Sequence, residues 1–312
     1  MAEVATSASS SANSSARSDQ LLVVVDPVAR RMDGESVRIA KDVLSAGASH
    51  TKVCLPDDPE EFARALGRRG SRRPVVIGDD SALLRAVALL HRRRELAGCA
   101  LSVVPVGSAL GLARSLGLPT GAVAAARAVL DGTERRLDLL VDDSDGVVLG
   151  TVGIPPAPVP VPVRADAGPG PEGTSSVRPW LRTCQSLVRT LASSRTARTA
   201  VAPGTPGPAR LRVEVDGVTL VDLDQPVEGV SVTPGAAGVA VVEVRPLSVG
   251  AQASPLTASG RTVTVSGAHF RYRADAVVCG PVGTRTWVAR EGAWGLTLPA
   301  GVGPGVGPLR AP

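Results

Sequence analysis

Aromatic side chains make up only 2% of this 312-residue chain. A core without them has to be assembled from Val, Leu and Ala. So few rings also leave little to stack bases on, which makes nucleic-acid binding a weak reading. Cysteine is equally scarce. Cys54, Cys99, Cys184 and Cys279 stand far apart, with no CxxC spacing and no histidine nearby. That pattern argues against a zinc site or a disulfide framework and for a reducing, cytoplasmic setting. No apolar run reaches the roughly eighteen residues needed to cross a bilayer. Residues 1–19 are rich in Ser and Ala but lack the apolar centre of a signal peptide, so a disordered tail is expected there. His50, His91 and His269 have no partner at a catalytic spacing.

What the chain does have is glycine (34) and proline (26), together nearly a fifth of it, which implies extended irregular segments. Its length allows two compact domains, since single cores rarely grow past about 250 residues. The net charge is a modest +5. Arginines cluster at Arg68, Arg69, Arg72 and Arg73 and at Arg92, Arg93 and Arg94. These are either solvated helix ends or an attraction for phospholipid or nucleotide phosphates, worth about 1 kcal/mol per residue near a charged surface.

From residue 21 the pattern alternates strand and helix. Strands are expected at 21–25, 51–55, 75–77 and 101–104, and helices at 35–46, 59–66, 82–94, 110–116 and 119–130. Such alternation means a parallel sheet covered on both faces. After about residue 136 the chain turns to short strands, at 136–140, 147–152, 211–215, 218–223, 229–233, 239–245, 261–266, 285–289 and 294–298. Turn dipeptides such as Asp216-Gly217 separate them. One helix is expected at 177–191. The domain reading is a tail (1–19), an α/β domain (20–136), a β-rich, sandwich-like domain (137–299) with loose loops at 155–176 and 193–209, and a flexible tail (300–312).

Two strand-to-helix corners carry the chemistry. The first is Arg73-Pro74-Val75-Val76-Ile77-Gly78-Asp79-Asp80-Ser81, and the second runs from Val103 through Pro105-Val106-Gly107-Ser108-Ala109-Leu110-Gly111-Leu112-Ala113-Arg114. A glycine after a strand lets backbone approach a phosphate, and the following helix offers free N–H groups. Equally, Asp79, Asp80 or Ser81 can cap the helix, Arg114 can contact a phosphate or serve the helix end, and Asp26-Pro27 can stop the first strand. These alternatives stay open at the level of sequence.

Taken in order, the two corners resemble the GGDGT and PLGTGNDFAR motifs of the diacylglycerol kinase catalytic domain family, lipid kinases related to sphingosine kinases and to NAD kinases. The resemblance implies an α/β nucleotide-binding domain followed by a β-rich domain, with ATP and Mg2+ as cofactors. It implies that Gly78, Asp79, Ser81, Gly107 and Ser108 hold nucleotide. Asp26, where the family has the Asn of Asn-Pro, would line the cleft. The family's general base lies in an Asp-Gly-Glu turn near the C-terminus. Its counterpart here is Asp275 in Ala274-Asp275-Ala276-Val277, so Asp275 and Asp79 are the catalytic candidates. Asp138 matches the step between domains and reads as structural.

The motifs depart from the family at several places. Ile77 and Asp80 replace glycines, Leu110 replaces Asn, and Gly111 replaces Asp. A carboxylate at Asp80 facing a triphosphate about 4 Å away would cost about 4 kcal/mol, roughly a thousandfold in affinity. The implied function is therefore either transfer of the ATP γ-phosphoryl group to a lipid hydroxyl at a membrane surface, or a catalytically impaired relative that binds lipid, nucleotide or protein. The implied location is cytoplasmic, with attachment to the inner membrane face left open. Homo-oligomerisation is left open too, and no nucleic-acid partner is expected.

Overall fold

The computed structural model describes residues 20–156, 208–247 and 254–301. The tail at 1–19, the helix expected at 177–191, and most of the loops and C-terminal tail lie outside these residues. So does Cys184.

The first strand, β1 (Gln20–Val25), is a continuous apolar run buried from its second residue onward. Asp26-Pro27 does more than stop it. Asp26 caps a short helix, α1 (Pro27–Met32), by accepting the Val28 amide at 3.0 Å. Pro27 opens that helix, where its missing N–H costs nothing. The remaining elements follow the expected alternation: α2 (Gly34–Gly47), β2 (His50–Cys54), α3 (Pro59–Gly67), β3 (Arg73–Gly78), α4 (Asp80–Arg92), β4 (Ala100–Pro105), α5 (Gly111–Ser115) and α6 (Ala122–Asp131). Asp33 and Asp58 cap α2 and α3 through the Ser36 and Glu61 amides. Helix α6 begins at Ala122 and not at Pro119.

Strands β2, β1, β3 and β4 lie side by side in that order, all parallel. One face buries Leu22, Val24, Phe62, Leu66 and the apolar side of α4, and the other buries Leu21, Val23, Val25, Val37, Leu44 and the inner side of α6. Both faces are thus covered, as a parallel sheet requires.

The β-rich part comprises β5 (Thr133–Asp142), β6 (Val147–Val148), β7 (Val152–Ile154), β8 (Ala209–Val215), β9 (Val218–Val221), β10 (Pro226–Pro234), β11 (Ala240–Pro246), β12 (Leu256–Gly260), β13 (Thr262–Ala274) and β14 (Val277–Leu298). Asp216-Gly217 turns the β8–β9 hairpin as the sequence indicates, with both residues at positive φ. A separate core forms here, in which Tyr272 meets Trp287 edge-on at 5.3 Å.

Strand β14 is the main departure from expectation. The strands read at 285–289 and 294–298 are one 22-residue strand. Its ladder with β5 is broken between Arg290 and Trp294, where Gly292 takes a positive φ and donates its amide to Asp138. Asp138 also accepts the Gly238 amide, so its role in the fold is structural. Beyond the break, Gly295 and Leu296 pair in parallel with Ala100 and Leu101 of β4. Trp287 is buried in the β-rich core and Trp294 in the α/β core. One strand therefore joins both parts into a single 14-stranded sheet. Among the described residues, no helix is long and apolar enough to cross a membrane.

Candidate functional site

The first corner forms where β3 ends at Gly78. Asp79 caps α4, its Oδ1 accepting the amides of Ser81 (3.0 Å) and Ala82 (3.1 Å). A Cβ on Gly78 would lie 2.5 Å from the Ala82 Cβ and 2.9 Å from the Asp26 Cβ. Only hydrogen fits there, because strand β1 and helix α4 close on the same point. Asp26 is buried, and its Oδ1 meets Arg85 of α4 at 2.6 Å. The same guanidinium lies 5.6 Å from the Phe62 ring centre.

The second corner leaves β4 beside the first. The Val106 amide donates to the Gly78 carbonyl (2.9 Å), and the Asp80 amide donates to the Ala109 carbonyl (2.9 Å). Gly107 has φ +132, and a Cβ there would sit 3.1 Å from the Asp79 Cβ. The two corners are therefore in contact at the carboxyl ends of β3 and β4. That is where open α/β sheets bind ligands. Ser81 and Ser108 are exposed on this surface.

Asp80 overturns the expectation that its carboxylate projects at the ligand. The side chain is buried, and both oxygens are committed. Oδ2 accepts the Leu112 amide at 2.8 Å and Oδ1 the Ala113 amide at 2.9 Å. Helix α5 has no capping side chain of its own, because Leu110 stands at its N-cap. The amide and acid that the resemblance expects at 110 and 111 are gone, and Asp80 supplies a carboxylate from the neighbouring corner. Asp80 thus supplies the cap that Leu110 does not.

Asp275 lies in the turn from β13 to β14 with φ +49. Its carboxylate accepts three consecutive amides, Leu149 on Oδ2 (2.9 Å) and Gly150 (2.8 Å) and Thr151 (2.9 Å) on Oδ1. Burial pushes its pKa above the ordinary value, the three amides pull it back in part, and the Asp80 charge adds to the rise. The turn is seated on the second corner. A Cβ on Gly150 would come within 2.8 Å of Asp275 Oδ1 and 3.0 Å of Leu112 Cδ1. Asp26 and Gly78, Asp79 and Gly107, and Asp80 and Asp275 therefore form one contiguous set.

The residues that sequence reading missed are those that answer these acids. Arg85 is the one charged residue in the otherwise apolar stretch Ala82–Leu90 of α4, which is the signal that marks it. The amides of 149–151 leave no trace in side-chain identity. Among the described residues, no group of three or more His, Cys, Asp and Glu side chains is arranged to hold a metal ion.

The sequence model of the diacylglycerol kinase catalytic domain matches residues 20–141, which span both corners. Those residues belong to that family. A solved structure described as a diacylglycerol kinase from Bacillus anthracis str. Sterne superposes with a TM-score of 0.61 at 12% identity, covering 91% of this chain and 98% of that one. Two structures described as candidate diacylglycerol kinases of the same organism give 0.63 at 11% identity and 0.62 at 13%, covering 90% and 91% of this chain and 97% and 98% of theirs. The diacylglycerol kinase fold thus extends through the β-rich part as well as residues 20–141. No curated protein sequence gives a significant match.

Proposed function

We propose that this diacylglycerol kinase-family protein is a non-catalytic binding module rather than a phosphotransferase. The observation that carries this reading is the position of Asp80. Its carboxylate is buried between the two corners and takes up the Leu112 and Ala113 amides, backbone donors that a phosphate would otherwise use. The cation beside the first corner, Arg85, is committed to Asp26.

ATP and Mg2+, which the family implies, fit these residues poorly. A divalent ion needs carboxylate oxygens with free lone pairs. Here Asp26 is ion-paired, Asp80 and Asp275 hold five backbone amides between them, and Asp79 spends one oxygen as a cap. Asp275, as candidate general base, would have to take a proton while tethered at both oxygens. A second reading, phosphoryl transfer to a lipid hydroxyl, is favoured by one observation, the raised pKa of Asp275, which suits a base.

The two readings part in a transfer assay. Incubated with labelled ATP, Mg2+ and vesicles containing diacylglycerol, the protein should leave the lipid unlabelled. Label in the lipid that disappears with Asp79→Asn would establish the second reading.

A further inference from the structure

We propose that a cavity between the edge strand β2 and helix α3 binds a small phosphate monoester, at a site sharing no residue with the two corners. The cavity measures about 260 Å3, just below the roughly 300 Å3 where small-molecule sites begin. It is open on one side because β2 is the last strand of the sheet.

Two periodicities build it. Glu61, Arg64, Ala65 and Arg68 recur at three- and four-residue steps, so α3 turns one stripe toward the strand. Lys52 and Cys54, two residues apart, share a face of β2, and the strand register places Leu22 beside Lys52. In a doubly covered parallel sheet that face is normally apolar. Here a lysine stands on it and two arginines stand at the rim.

The charge balance is positive. Three cations line the cavity against one carboxylate, Glu61, which accepts the Asp57 amide at 2.9 Å and lies 4.0 Å from Arg64. Of the nearby acids, Asp57 is ion-paired with Arg30 and Asp58 caps α3. Among the described residues, the side chains of Lys52 and Arg68 have no hydrogen-bond or ion-pair partner. An ammonium and two guanidinium forks match a dianionic phosphate. Leu22, Cys54 and Ala65 offer apolar surface for the carbon chain of its ester.

Calorimetric titration of the full chain with n-butyl phosphate, alongside alkylation of Cys54 read by peptide mass, tests this. Saturable binding is expected, with protection of Cys54, weaker protection by inorganic phosphate, and none by n-butanol. Lys52→Gln with Arg68→Gln should weaken binding by at least about tenfold, since each removes a charge-assisted contact. If butyl phosphate fails but vesicles carrying a phosphate-monoester headgroup protect Cys54 in a manner lost in that double variant, the same site takes its ligand from a lipid. Absence of binding by either probe would overturn the proposal. So would undiminished binding by the double variant. Self-association of Lys52→Gln with no ligand binding to the parent would instead make Lys52 a guard of the exposed strand edge.

Discussion

Asp80 Oδ2 accepts the backbone amide of Leu112 at 2.8 Å, across 32 positions of sequence. With the Ala113 bond beside it, this contact holds the start of α5 against the start of α4. Two charge-assisted bonds of this kind are worth about 3 kcal/mol together. Asp80→Gly should therefore lower the unfolding free energy by about that amount, read as a shift in urea midpoint with an unchanged slope. Adding Gly111→Asp to that variant, which places an acid next to the uncapped turn, should recover part of the loss. An Asp80→Gly protein as stable as the parent would show that the bonds contribute nothing.

The Asp26–Arg85 pair makes a second prediction. Asp26 is buried at 1% exposure, so removing its partner strands a charge. Arg85→Leu should cost about 3 kcal/mol, whereas Asp26→Asn, which keeps the Val28 cap and loses the charge, should cost about 1 kcal/mol. Chemical denaturation of the two variants checks the order.

Gly78→Ala is expected to destabilise by about 2 kcal/mol through overpacking against Ala82 and Asp26. Gly107→Ala should cost a similar amount, about 1–3 kcal/mol, from its positive φ and the Asp79 contact. Both are steric effects, so thermal melting should report them with or without nucleotide.

Asp275 governs a pH dependence opposite to that of a salt-bridged acid. Its folded pKa lies above the ordinary 3.8, so the folded protein binds that proton more tightly than the unfolded chain does. The associated stability is complete below 3.8 and is lost as pH rises through the raised value. The unfolding free energy of the parent minus that of Asp275→Asn should fall with rising pH in that window and then level off. A difference that rises there would reverse the sign of the burial effect.

Much of this was legible from residue order. Apolar runs ending in Gly-Asp or Pro-Val-Gly gave β3, β4 and both corners, and Asp-Gly gave the β8–β9 turn. The 22-residue β14 was not legible, because the Arg290–Ala293 stretch has the glycine and charge of a loop and the ladder resumes only through long-range pairing with β5 and β4. Helix α1 was hidden for a different reason, since Asp-Pro both stops a strand and starts a helix. At the site, the acids could be picked out but not their partners. Asp80 reads as a repulsive intruder until the amides of 112 and 113 are seen beneath it, and backbone amides carry no letter in a sequence.

Titration of the unmodified protein with Mg-ATP, followed by calorimetry, bears most directly on whether the Asp80 carboxylate has taken the amides a triphosphate would use. No saturable heat is expected up to millimolar nucleotide. Saturable binding well below one millimolar, weakened by Asp79→Asn, would mean that the corners still grip a triphosphate with Asp80 in place.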